Sequence, residues 1–257
     1  ASGHAPEGLI GATQRAVTIG SPMGVKLPAL QAQIRHVEDE TGCKVPVDVE
    51  GAEYLCTLSS MEIMNFPEYI GAIARIFNHA GVSWTLSSEA FEATNSGVQI
   101  GSSDIARELV SRVVHAAEKL KVKHVISPEC GHAYTAIRWE GANLVGKRFG
   151  FKVQHILEVL DELREQGLLK TSGSEDSRMT FHDPCQLVRR GGVVEQPRNL
   201  LKMVASDFVE MKDNGIMNWC CGAGGGRRRG QRLGRRPTGA RWERSRPGPW
   251  NCRHSSA

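Results

Sequence analysis

Three long stretches of the chain repeat their apolar positions at helical spacing. Across residues 104–123, Ile105, Leu109, Val113, Val114, Ala117 and Leu120 fall on one stripe, with Ser103 or Asp104 placed to cap it. Residues 153–169 repeat the pattern through Val153, Ile156, Leu157, Leu160 and Leu163, and Gly167 is positioned to end the helix. Residues 61–81 read as helix interrupted near Pro67 and closed near Gly81. Between these lie short apolar runs bounded by turn residues: EYLCT, VSWTL, KHVIS, MTFH and DFVEM. Strands alternating with long helices predict an α/β fold with a mostly parallel sheet, whose sites form beyond the carboxyl ends of the strands.

The cysteines follow that rule. Cys56 ends EYLC, Cys130 lies three residues beyond KHVIS, and Cys185 comes just past MTFHD. An early unit carries Cys56 and Cys130, and a later one carries Cys185, Cys220 and Cys221. This coarse duplication predicts two related Rossmann-like lobes with cysteines at strand carboxyl ends. The first spans residues 45–170 and the second starts at 178–226, with the polar stretch TSGSEDS at 171–177 as the boundary. Residues 1–44 read as an N-terminal edge or linker, and the start at Ala1 reads as the cut edge of a longer protein.

Charge divides the chain again. Residues 227–257 hold ten arginines, no lysine and one acid; taken from whole-chain totals of 32 basic and 28 acidic side chains, this leaves 22 and 27 in residues 1–226. That body is mildly acidic and gives no reason to expect nucleic acid. With no apolar run of about 18 residues and no signal-peptide core, the chain reads as cytoplasmic. Seven cysteines are too sparse, and odd in number, for a disulfide scaffold, so metal or redox use competes with simple burial.

CCGAGGG, residues 220–226, admits three readings. A dinucleotide loop would need glycine at 227, where arginine stands, and no Walker lysine follows Gly226. Two buried thiols beside a glycine turn are the bland alternative, which suits an isolated residue such as Cys43 better than an adjacent pair. The third is a soft-ligand site, since glycines let backbone wrap closely around a cluster that accepts several thiolates. Zinc remains open, although no C-x-x-C pair is present. A partner thiol is suggested by FHDPC, whose Cys185 is separated from Cys220 by 34 residues.

FHDPC upstream and CCGAGGG downstream together resemble the cysteine-rich CCG domain of heterodisulfide reductase, in its D-type subunit, and of that protein's relatives. The resemblance covers roughly residues 45–226, with SPECGHAYTAIRWE and EAFEATNSGVQIG most similar to the branch formed by DsrK, the catalytic iron–sulfur subunit of membrane-bound Dsr sulfur-metabolism complexes. It implies a non-cubane [4Fe-4S] cluster held by Cys185, Cys220 and Cys221 and acting on disulfides. It also implies a first lobe whose site is degenerate, leaving Cys56 and Cys130 as remnants or simply buried. His182 and Asp183, flanking Cys185, would donate a proton to a leaving thiolate or shape the turn before Pro184; His132 beside Cys130 has the same ambiguity. Arg189 and Arg190 would attract an anionic partner or stand as solvated charges.

The implied setting is a subunit on the cytoplasmic face of the inner membrane, held there by quinone-module partners, with a small sulfur-carrier protein presenting a disulfide or trisulfide. The alternatives are an iron–sulfur subunit for glycolate, lactate or glycerol-phosphate oxidation, and a non-catalytic interaction subunit. The family's ferredoxin-like motifs and final C-x-x-C are absent from this sequence; Cys252 alone follows the vicinal pair. Residues 227–257 read either as a disordered basic tail or, in preference, as a frame-shift product in GC-rich DNA. On that reading the cluster is incomplete and the fragment inactive by itself.

Overall fold

A computed structural model of the chain describes residues 5–94, 96–127, 130–171 and 173–222. The arginine block, Cys252 and the frame-shift reading lie outside the described residues. Helices α1 (Glu7–Ile19) and α2 (Leu27–Thr41) come first, then strand β1 (Tyr54–Cys56), α3 (Ser60–Asn65), α4 (Glu68–His79) and β2 (Trp84–Thr85). They are followed by α5 (Ser96–Gln99), α6 (Ser103–Lys119), β3 (His124–Ser127), α7 (Gly131–Arg138), α8 (Gly141–Val145), β4 (Lys152–His155) and α9 (Ile156–Glu165). A single π-helical turn at Gln186–Arg190, α10 (Glu195–Val204) and a 3-10 turn at Gly215–Met217 complete the described chain.

The α/β expectation is met by one parallel sheet in the order β2-β1-β3-β4. Because strand side chains alternate, its two faces take different residues. Cys56 and Ile126 face a cluster with Leu30, Ile34 and Val37 of α2, Ile70, Ile73 and Phe77 of α4, and Val159 and Leu163 of α9. Leu55, Val125 and Val153 face Val110, Val113 and Ala117 of α6 and Tyr134 and Ile137 of α7. Helices on both faces explain why the strands read as unbroken apolar runs.

Several sequence expectations shift. Residues 7–41 are two helices, with α2 contributing to the core, where an edge or linker was expected. The break at Pro67 is present, and the Ser59–Glu62 capping box starts α3 just before the predicted stretch. Ser102 caps α6, one residue ahead of the expected candidates. Val153 belongs to β4 rather than to the helix after it; His155 is both the last strand residue and the cap of α9, so no loop separates the two. MTFH and DFVEM form no strand among the described residues: they meet in one parallel bridge, Met179↔Phe208, beside a second at Glu175↔Ala205.

Candidate functional site

Cys185 initiates the π-turn, and its carbonyl accepts the Arg190 N–H at 3.2 Å, the wide i→i+5 bond that defines such a turn. Cys220 and Cys221 lie exposed at the end of the loop that follows the 3-10 turn. The fold brings these three thiols together. Burial raises the Cys185 pKa, and a hydrogen bond with Cys220 and the charges of Cys220 and Cys221 raise it further. The Cys220 Sγ also accepts the Gly222 N–H at 3.3 Å, with Gly222 at a left-handed φ of 76° that suits glycine.

A buried polar clamp sets the distance between the two cysteine segments. Arg198 of α10 donates to both Asp183 carboxylate oxygens, at 2.9 and 2.8 Å. Asp183 Oδ2 accepts the Gly215 N–H at 2.6 Å, and its carbonyl accepts from the Asn218 side chain. Burial alone would raise the Asp183 pKa, but the Arg198 and Gly215 hydrogen bonds outweigh it and hold the carboxyl low. With both oxygens occupied, Asp183 positions the loop and is not set up as a proton donor. His182 Nε2 lies 2.9 Å from the Trp219 carbonyl oxygen, so this side chain also grips the chain just before Cys220. Arg189 donates to the Ile216 carbonyl at 3.0 Å and to the Asn218 carbonyl, while Arg190 pairs with Glu140 at 3.2 Å. Both arginines are engaged, not free to attract a partner. Arg198, Asn218 and Gly215 were not foreseen; nothing in their local sequence distinguishes them from ordinary loop residues.

Cys56 and Cys130 do not form a second set. Cys56 is fully buried in the cluster with α2 and α4, and burial, followed by Glu62, pushes its thiol far up. Cys130 packs on the opposite face, where its Sγ accepts the Ala133 N–H at 3.4 Å and caps α7. Burial, then Arg190, lowers the His132 pKa.

The donor chemistry fits iron. Three thiolates that repel one another around a glycine turn, one of them holding an N–H···S bond, suit a cationic iron–sulfur group. Among the described residues no three His, Cys, Asp or Glu side chains are arranged to hold a single ion, so the set suits a multi-iron group better than one zinc. No helix among the described residues is long and apolar enough to cross a membrane.

Comparison with known proteins agrees. The cysteine-rich domain CCG matches residues 179–243. An EtfAB:quinone oxidoreductase of Syntrophomonas wolfei is 34% identical over 199 residues, covering 74% of this chain and 27% of the relative. The D-type subunit of the dihydromethanophenazine:CoB--CoM heterodisulfide reductase of Methanosarcina acetivorans is 33% identical, covering 60% of this chain and 39% of the relative. An Hdr-like menaquinol oxidoreductase iron-sulfur subunit 2 of Archaeoglobus fulgidus is 28% identical, covering 84% and 49%. The chain thus spans from about a quarter to about half the length of these curated relatives. No solved structure matches it. With the cysteines of the CCG motif gathered at one place, and iron–sulfur oxidoreductases among its relatives, the chain belongs to the family of the D-type heterodisulfide reductase subunits.

Proposed function

We propose that this chain is part of a quinone-linked iron–sulfur subunit that acts on a disulfide or trisulfide presented by a small sulfur-carrier protein, as in the DsrK branch. The observation that carries the reading is the convergence of Cys185 with Cys220 and Cys221 on segments clamped by Asp183 and Arg198. Cys185, Cys220 and Cys221 would hold a cluster of the non-cubane [4Fe-4S] type. When bound, such a cluster supplies electrons singly and an iron that accepts sulfur. The chain's own part is to keep the thiols in register through the clamp and to leave Cys220 and Cys221 open to an incoming sulfur. Partner subunits of a membrane complex would supply the electron path, on the cytoplasmic side of the inner membrane.

Anaerobic reconstitution with iron and sulfide tests this. Bound iron and acid-labile sulfide that fall by more than about tenfold in Cys185→Ser or Cys220→Ser, with folding intact, support it, because thiolate ligation is what those variants remove. Zinc alone, or iron indifferent to both substitutions, sinks it. A second reading, electron relay to quinone without disulfide chemistry, draws on the relative named EtfAB:quinone oxidoreductase. It predicts a reducible cluster that no disulfide reoxidises.

A further inference from the structure

Cys130 belongs to the first lobe and stands outside the thiol set assigned to the cluster, yet the packing brings it to the same place. It caps the N-terminus of α7 as Cys185 caps that of the π-turn. The two turns meet end to end at their first residues. A Cβ on Gly131, the first residue of α7, would lie 2.8 Å from the Leu187 nitrogen and 3.2 Å from the Gln186 carbonyl carbon. Cys130 is therefore one residue, and Cys185 two, from a backbone contact too close for any side chain but glycine's. Trp139 Nε1 donating to the Gly191 carbonyl at 3.3 Å and the Arg190–Glu140 pair hold the rest of that seam.

The surroundings of Cys130 suit a reacting thiol. It is half-buried, not in a disulfide, and packed at the edge of the cluster with α6. Its Sγ accepts the Ala133 N–H in the first turn of an eight-residue helix, where backbone N–H groups favour thiolate over thiol. Ser127 Oγ donates to the Cys130 carbonyl at 3.3 Å and ties the residue to the end of β3. Cys56, by contrast, is sealed on the other face of the sheet.

We propose that Cys130 is a further catalytic residue of this site, a thiol that takes one half of the substrate's disulfide. This rests on the disulfide reading above. The Cys130 thiolate attacks one sulfur; a new S–S bond forms to Cys130, the substrate S–S bond breaks, and the other sulfur leaves as a thiolate with no net electron transfer. Returning the mixed disulfide to Cys130 thiolate and a free substrate thiol consumes two electrons and one proton, supplied by a reduced one-electron carrier protein.

The test uses the whole chain, reduced, then exposed without oxygen to glutathione disulfide, quenched with acid and mapped by mass spectrometry. Glutathione is expected on Cys130 at least about tenfold faster than on half-buried Cys43, which lies away from the seam. Cys130→Ser, which keeps a hydrogen-bonding cap on α7, is expected to abolish that adduct while binding iron as the parent does. Equal labelling of Cys130 and Cys43 overturns the proposal, and so does loss of iron in Cys130→Ser, which would make Cys130 a ligand. If the parent binds no iron but Cys130 still labels fast, the cluster reading fails and this one stands.

Discussion

Two buried acids show how local partners set a residue's role. Asp183 is fully buried but ionised, because Arg198 reaches both of its oxygens and Gly215 adds a third hydrogen bond. Removing one partner strands a buried charge, so Arg198→Ala should cost about 3–5 kcal/mol in a denaturant titration. Arg198→Lys should recover little, since an ammonium cannot replace a two-pronged guanidinium that also holds Glu210. Glu92 is the opposite case. Burial pushes its pKa up to about 7, more than the Ser60 and Ser21 hydroxyls pull it down. The folded protein then holds a proton that the unfolded chain releases near 4.5, so Glu92's contribution is complete at acid pH and is lost as pH rises from about 4.5 to about 7. Stability measured across that window should fall by up to about 3 kcal/mol from this group, and Glu92→Gln should flatten the fall. A slope unchanged in the variant would assign it to other groups, among them Glu89 and Arg112 in the same cleft.

At the scale of elements, the seam between α7 and the π-turn depends on an absent side chain. Gly131→Ala would force a Cβ to within 2.8 Å of backbone that cannot step aside, and should lower stability by about 1–3 kcal/mol. Loss of the Trp139–Gly191 hydrogen bond should accompany it, read as a change in tryptophan fluorescence; an unchanged melting temperature and spectrum would mean the seam is looser than described. What was legible in sequence follows the same division. Helix α6 and strands β1 to β3 could be read because burial repeats at the period of the element. The three thiols could be read because CCG and FHDPC are local signatures. Strand β4 was hidden because Val153 fits the helical stripe of α9 and no turn separates the two. The clamp was hidden because Asp183, Arg198 and Asn218 meet only through tertiary contact, which leaves no period or spacing in the chain.

For the molecule as a whole, the two lobes are joined by more than their linker. Leu187 and Val193 of the second lobe are buried in the cluster that α6 and α7 form on the first lobe's sheet. Residues 173–178 between the lobes are exposed. Trypsin should cut at Lys170 or Arg178, and the two pieces should still elute together in gel filtration under native conditions. Separation on cutting would show that the shared core is too weak to hold them.

The wide turn after Cys185 adds a constraint on inheritance. Its extra residue sends Arg189 to the loop before Cys220 and Arg190 to Glu140, with the Cys185 carbonyl bonded to residue 190. Losing one codon there would return the turn to ordinary helical spacing and rotate every later side chain by about 100°. Descendants of this gene can lengthen or shorten the exposed 173–178 stretch freely, while the codons of the turn must be inherited with their number unchanged.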